Sequence, residues 1–80
     1  MTTEGKALVG WLVTQRKKLG MTQAQLSEKL GLNKVSLNKL ENHQRRMDVC
    51  EFCDLCRVLN IEPADAIRSA LRFMTVANAS

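Results

Sequence analysis

The sequence is poor in the residues that favour β-sheets. It has no tyrosine, two phenylalanines and one tryptophan, with a single proline and four glycines among 80 residues. Leucine, lysine, glutamine, glutamate and alanine are plentiful, and these residues favour helices. We therefore expect an all-α chain in which residues 1–80 form one domain, because this length supports a single hydrophobic core.

Long hydrophobic runs are also missing. The apolar run ALVGWLV covers only residues 7–13, whereas a membrane-spanning helix needs roughly 20 residues. TQRKKL follows it in place of a small-residue cleavage site, so we expect no signal peptide. Three cysteines are an odd number, which fits reduced thiols and not a disulfide framework. These features predict a cytoplasmic protein with no membrane partner.

Positive charge is concentrated in the N-terminal half, although the formal net charge is only +4. Residues 5–46 contain nine lysines and arginines against two glutamates, whereas residues 47–80 contain three arginines against five acidic residues. This asymmetry is typical of a polyanion-binding face joined to a separate supporting or pairing face. Ordinary solvated lysines are the alternative explanation of the charge alone.

Capping residues divide the chain into five predicted helices within a core of about residues 5–76. Gly20 and Gly31 end the first two helices, because glycine accepts the left-handed conformation that follows a helix. The next three side chains suited to N-caps are Thr22, Asn33 and Asp48. The predicted helices cover residues 5–19, residues 23–30, residues 34–42, a stretch that starts at residue 49, and residues 63 to about 76.

The second and third helices carry the main functional pattern, TQAQLSEKLGLNKVSLNKLE, at residues 22–41. A short turn with Gly31 joins them, and leucines supply the apolar positions that pack them together. This is the pattern of a helix-turn-helix, whose second helix fits a major groove about 12 Å wide. An αα-hairpin in a helical bundle is the alternative. DNA is favoured because the outward positions of the third helix include no acid: Lys34, Val35, Ser36, Asn38 and Lys39.

Several motifs together resemble the lambda-repressor/Cro-type (XRE-like) helix-turn-helix family of bacterial and phage transcriptional regulators. They are an arginine in the first helix, TQ…L…G in the second, S-L…LE in the third and LNIEP downstream, within roughly residues 8–67. The resemblance implies a five-helix domain that regulates transcription, as a repressor or as an activator. It would bind double-stranded DNA as a homodimer on a palindromic operator, with residues 34–42 in the major groove.

The same resemblance implies roles for particular residues. Arg16 would pair with Glu41 and join the first helix to the end of the third. The side chains that would face base edges are Lys34, Val35, Asn38 and Lys39. The residues that would contact phosphates are Gln23, Asn33, Ser36, Arg45 and Arg46. Lysine suits guanine, asparagine suits adenine and valine suits a thymine methyl group.

Two residues depart from the family pattern. Ser27 replaces the usual alanine of the second helix, and it is small enough for the two helices to stay closely packed. His43 replaces the usual glycine after the third helix. We expect Asn42 to adopt the left-handed conformation in its place, because asparagine visits this region readily.

All three cysteines lie in DVCEFCDLCR, residues 48–57, where a metal or redox site is the alternative to a buried helix face. At 100° per residue, Cys50 points to solvent, and Cys53 and Leu55 border an apolar face on opposite sides. We predict that this face is core and that Cys53 and Cys56 are buried in it. The residues of that face are Val49, Phe52, Cys56 and Leu59. Cys50 and Cys56 are about 9 Å apart along the axis, too far for one ion with bonds near 2.3 Å. We predict no metal and no cofactor. A redox role in which Cys50 forms an intermolecular disulfide is an alternative.

The fifth helix is predicted to form the dimer. The side predicted to pack on the domain's own core carries Ile67, Ala70, Leu71 and Met74. The neighbouring side, predicted to be the dimer interface, carries Ala66, Phe73 and Val76. Exposed apolar groups there would suit a self-complementary two-fold contact. The alternative is that Phe73 packs on its own first helix.

The sequence carries no phosphate loop and no His–carboxylate–nucleophile set, so we predict that the protein is not an enzyme. The leading hypothesis is a sequence-specific DNA-binding regulator. A second is an antitoxin-like or adaptor module that holds a protein partner, such as a toxin or another regulator. A third is a sensor of metals or redox state that uses the cysteines.

Overall fold

The computed structural model describes the backbone of residues 3–79 and the side chains of residues 5–72. Residues 3–79 form five helices and no strand. The helices are α1 (Thr3–Lys18), α2 (Gln23–Leu30), α3 (Lys34–Glu41), α4 (Val49–Leu59) and α5 (Pro63–Ala79). Within the described part, no helix is both long and apolar enough to cross a bilayer. The predicted all-α architecture is confirmed.

Local capping interactions set the helix boundaries. Thr22 accepts a hydrogen bond from the backbone N–H of Gln25 at 3.1 Å, and the Gln25 side chain accepts one from the Thr22 N–H at 2.9 Å. Asp48 and Glu51 form the same reciprocal capping box at the start of α4. Gly31 ends α2 with φ of +71°, which costs glycine little. These caps lie where the sequence predicts them because they depend on neighbouring residues alone.

The left-handed residue after α3 is His43, and the prediction that it would be Asn42 is wrong. His43 has φ of +61°, whereas Asn42 has φ of −93°. The His43 N–H donates to the carbonyl of Leu40 at 3.1 Å, and the Gln44 N–H donates to that of Lys39 at 2.8 Å. This pair of bonds places the left-handed conformation one residue beyond the cap. The local backbone hydrogen bonds at the end of α3 therefore prevail over the intrinsic preference of asparagine.

The hydrophobic core lies between α1, α2, α3 and α4. Its buried residues are Val9, Leu12, Leu26, Leu37, Leu40, Leu55 and Leu59. α5 packs chiefly against α1. The helix pair α2–α3 is thus held from behind by α1 and α4, which leaves the outer side of α3 uncovered.

α5 is rotated from its predicted orientation. Ala66 is 0% exposed and Ala70 is buried, so the prediction that Ala66 lies in a dimer interface is wrong. Ile67 and Leu71, predicted to be core, are 46% and 56% exposed. Small residues let two helices approach closely, so the alanines occupy the contact and the larger side chains turn outward. Three residues of the predicted faces lie outside the described side chains: Phe73, Met74 and Val76.

α4 is also rotated about its axis relative to the predicted orientation. Leu55 is buried, whereas Val49 is 77% exposed, although Val49 was predicted to lie on the buried face. Cys56 is buried and Cys50 is exposed, as predicted, but Cys53 is exposed and its assignment to the core is wrong. The buried face of α4 is therefore centred nearer Leu55 than predicted, which leaves Cys53 exposed. Burial raises the pKa of the Cys56 thiol, and Cys53 and Glu62 raise it further.

The burial of the thiols predicts their reactivity. In the native protein, an aromatic disulfide reagent should react readily with Cys50 and Cys53, while Cys56 reacts only after unfolding. Reading the released thiolate before and after adding denaturant measures the two classes. Simultaneous reaction of all three thiols in native buffer would contradict the position of Cys56.

Among the described residues, no three His, Cys, Asp or Glu side chains group as metal ligands would.

Candidate nucleic-acid interface

The outer side of α3 is exposed, and we call its four predicted base-contacting side chains the recognition face. They are Lys34, Val35, Asn38 and Lys39, and all four are exposed. The opposite side of α3 buries Leu37 and Leu40. Behind it, the buried Ser27 of α2 donates its hydroxyl to the carbonyl of Ala24 at 2.9 Å, so serine is accommodated within the close packing of the helices.

The recognition face carries no acid because the one glutamate of α3 points inward. Arg16 Nε and Nη2 donate to Glu41 Oε2 and Oε1, both at 2.8 Å, and Arg16 Nη1 donates to the carbonyl of Met21 at 2.7 Å. The two side chains are only 9% and 8% exposed. Charges buried to this degree require a partner. The pair therefore joins the end of α1, the end of α3 and the turn before α2, which is the contact predicted for these residues.

Gln23, predicted to contact a phosphate, has its side chain committed within the protein. Its Nε2 donates to Glu41 Oε1 at 2.8 Å, and its Oε1 accepts from Asn38 Nδ2 at 3.2 Å. Asn42 Nδ2 donates to the Asn38 oxygen at 3.1 Å. A polar chain thus runs from the buried ion pair to the recognition face and orients the Asn38 amide. The sequence gives no signal for this link, because it arises only where α2 packs against α3.

Asn33 and Ser36, also predicted to contact phosphates, stand at the start of α3. The Asn33 side-chain oxygen accepts from the backbone N–H of Ser36 at 2.7 Å, so it acts as the N-cap. No donor contact of the Asn33 amide nitrogen occurs within residues 5–72, and Asn33 is exposed. Ser36 is half-buried, and its carbonyl accepts from Arg45 Nε at 2.9 Å. Asn33 is therefore the more accessible donor of the two.

Arg45 and Arg46, predicted to contact phosphates together, differ in their surroundings. Arg45 forms a two-pronged ion pair with Glu51, with N–O distances of 2.8 and 2.7 Å. This hydrogen bonding holds the pKa of Glu51 below its usual value against the opposing effect of burial, and it raises the pKa of Arg45. Arg46 is exposed, and its side chain meets no ion-pair partner within residues 5–72. The sequence gives no signal for the contact between Arg45 and Glu51.

Positive charge is available at the recognition face itself. Lys34 and Lys39 are exposed, and neither takes part in an ion pair within the part of the chain whose side chains are described. Arg46 is likewise exposed and outside the ion pairs of the described residues, and the dimensions of α3 suit a major groove. This arrangement can attract a polyanion and present hydrogen-bond donors to it.

Comparisons with known proteins agree with this geometry. A family model described as Helix-turn-helix matches residues 12–65. Among solved structures, the chain is similar to an XRE-family like protein from Pseudomonas syringae pv. tomato str. DC3000. The identity is 33%, the match covers 88% of this chain and 85% of that chain, and the TM-score is 0.79.

Two structures of the clp gene regulator ClgR from Corynebacterium glutamicum are also similar, each with 23% identity. One match covers 92% of this chain and 95% of that chain with a TM-score of 0.80. The other covers 99% of this chain and 83% of that chain with a TM-score of 0.84. At this identity the likeness concerns the fold alone, and it confirms the predicted helix-turn-helix fold. A search of the curated proteins found no match.

Proposed function

The chain belongs to the helix-turn-helix family of XRE-like DNA-binding transcription regulators, and from this premise we propose that it reads operator DNA with α3 in the major groove. The observation that carries the proposal is the recognition face, which is exposed and free of acid. Its lysines have no intramolecular ion pairs among the described residues, so binding DNA breaks no internal contact of theirs.

Each side chain of the recognition face suits a particular base edge. Lys34 and Lys39 can donate to guanine O6 and N7, and Val35 can contact the methyl group of thymine. Asn38 suits adenine, to which an amide both donates and accepts. Because Gln23 holds one side of the Asn38 amide, the orientation of that amide is fixed before DNA arrives. Preorganisation of this kind lowers the entropy cost of binding.

Phosphate contacts would come from groups around this face. Arg46 and the amide nitrogen of Asn33 are exposed donors. The N-terminus of α2 can add backbone N–H groups, since the start of a helix attracts anions. The Gln23 side chain would contribute by holding the Asn38 amide, and the second N–H of its Nε2 could still donate to a phosphate.

We further propose that the regulator acts as a homodimer on a palindromic operator. Ile67 and Leu71 place two exposed apolar side chains one turn apart on α5, within the acidic C-terminal half of the sequence. A two-fold contact there keeps the dimer interface apart from the basic recognition face. Two copies of α3 about 34 Å apart would meet successive major grooves on one side of the duplex.

Base contacts and phosphate contacts should respond differently to mutation. Lys39→Ala should cost about 1–3 kcal/mol on the cognate duplex and relax the preference at one base position. Arg46→Ala should weaken binding to all sequences alike and lower the salt dependence by about one phosphate contact. Fluorescence anisotropy titrations on cognate and scrambled duplexes at several salt concentrations measure both effects. If Lys39→Ala weakened both duplexes equally, α3 would not be reading bases.

A further inference from the structure

Arg45 is the most fully engaged cation of the loop between α3 and α4. Its Nε donates to the carbonyl of Ser36 at 2.9 Å, and its Nη1 donates to the carbonyl of Arg46 at 3.1 Å. Nη1 and Nη2 also donate to the two carboxylate oxygens of Glu51. These contacts use four of the five N–H donors of a guanidinium group.

The contacts of Arg45 join three separate parts of the domain. Ser36 lies in the first turn of α3, Arg46 in the loop, and Glu51 in the first turn of α4. Glu51 is held in turn, since its Oε1 accepts from the backbone N–H of Asp48 at 3.3 Å and its own N–H donates to Asp48 Oδ1 at 2.7 Å. Arg45 therefore links the backbone of α3 directly to the capping box of α4.

A phosphate contact of Arg45 would require this set of contacts to break. The Arg45 and Glu51 side chains are 24% and 19% exposed, so displacing the arginine would leave a largely buried carboxylate without its counter-charge. Breaking such a pair costs more than the pair contributes when intact. Arg46 is exposed, and its side chain forms no ion pair among residues 5–72. It can therefore contact a phosphate without breaking an internal contact.

We propose that Arg45 is a positioning residue that fixes α3 relative to α4 and directs Arg46 toward the DNA backbone, without contacting DNA itself. The inference rests on the proposed function. Base readout tolerates displacements of only about 0.5 Å or 10–20°. A loosened α3 therefore loses discrimination between sequences more than it loses general affinity for DNA, whereas loss of a phosphate contact weakens all sequences alike.

Two substitutions of nearly unchanged size test this role. Arg45→Lys keeps the charge but lacks the guanidinium fork that joins Ser36 to Glu51. Glu51→Gln removes the counter-charge of Arg45, and Arg46→Ala is the control for a phosphate contact. For each variant, the affinities for a duplex enriched from randomised DNA and for a scrambled duplex are measured across a range of salt concentrations. Circular dichroism melts verify that each variant is folded at the temperature of measurement.

We expect Arg45→Lys and Glu51→Gln each to lower the ratio of specific to non-specific affinity by about tenfold, equivalent to one lost base contact. The slope of log K against log salt should stay at the wild-type value for Arg45→Lys. In Arg46→Ala the magnitude of this negative slope should decrease by about 0.9, with the ratio of specific to non-specific affinity unchanged. A folded Arg45→Lys with the wild-type ratio would overturn the positioning role.

Glu51→Gln gives a second and independent outcome. If it bound all sequences more tightly and with a steeper salt slope, Glu51 would be withholding Arg45 from phosphate, and the inference would be wrong. A wild-type protein that failed to prefer the enriched duplex would refute the proposed function itself, and the positioning role with it. If only the positioning role were wrong, the wild-type protein would still bind the enriched duplex more tightly than the scrambled one.

Discussion

Arg16→Ala should lower the free energy of unfolding by about 3 kcal/mol, because it leaves the Glu41 carboxylate buried without its counter-charge. The substitution also removes the donor that caps the carbonyl of Met21. For a domain of this size, such a loss lowers the melting temperature on the order of 15 °C. The affinity of the remaining folded protein for DNA should change little, since Arg16 lies behind the recognition face.

A matched control is available in the same protein. Arg57 forms an exposed ion pair with Asp54 at 3.4 Å, so Arg57→Ala removes an identical side chain from a solvated site. Its expected cost is at most about 0.5 kcal/mol. Urea unfolding followed by circular dichroism compares the two variants. An Arg16→Ala protein as stable as the wild type but unable to bind DNA would show that Arg16 contacts DNA and is not a structural partner of Glu41.

Ile67→Lys should convert the proposed dimer into a folded monomer and weaken operator binding by about 100-fold or more. Ile67 is already 46% exposed, so a lysine there leaves the core intact. A charge in a two-fold apolar contact faces its own copy across the interface, which opposes association. The monomer then binds each half-site separately and loses the gain that comes from joining two binding events.

Leu19→Lys controls for the general effect of replacing an exposed apolar side chain by a cation. Leu19 is 58% exposed just after the end of α1 and outside α5. Analytical ultracentrifugation should find this variant dimeric and Ile67→Lys monomeric. If Ile67→Lys remained dimeric, or if the wild type were monomeric at tens of micromolar, α5 would lose its proposed role.

The sequence predicts the helix boundaries well because capping is local. The interactions of Thr22 and Asp48 each involve a residue three positions further along, so the pattern of residues alone locates them. The pairing of Arg16 with Glu41 follows from the resemblance to a family and not from spacing, since 25 residues separate the two. The helix-turn-helix fold can therefore be predicted from the sequence.

The rotation of each helix about its axis and the partners of particular side chains are harder to predict from the sequence. An ideal helical projection cannot tell that the small Ala66 makes the close contact in α5 while the larger Ile67 faces outward. Similarly, Arg45 and Arg46 are neighbours of equal charge, and only the position of Glu51 distinguishes the engaged arginine from the accessible one. These details depend on how the helices meet, and no short stretch of sequence contains that information.

Selection of binding sites from randomised duplex DNA shows whether α3 reads sequence at all. The wild type should enrich a pseudo-palindromic motif whose half-sites are about 10 bp apart, centre to centre. A variant with alanine at Lys34, Asn38 and Lys39 should remain folded, since all three side chains are exposed, and should enrich no motif. Enrichment of the same motif by this variant, or of no motif by the wild type, would show that α3 does not read an operator.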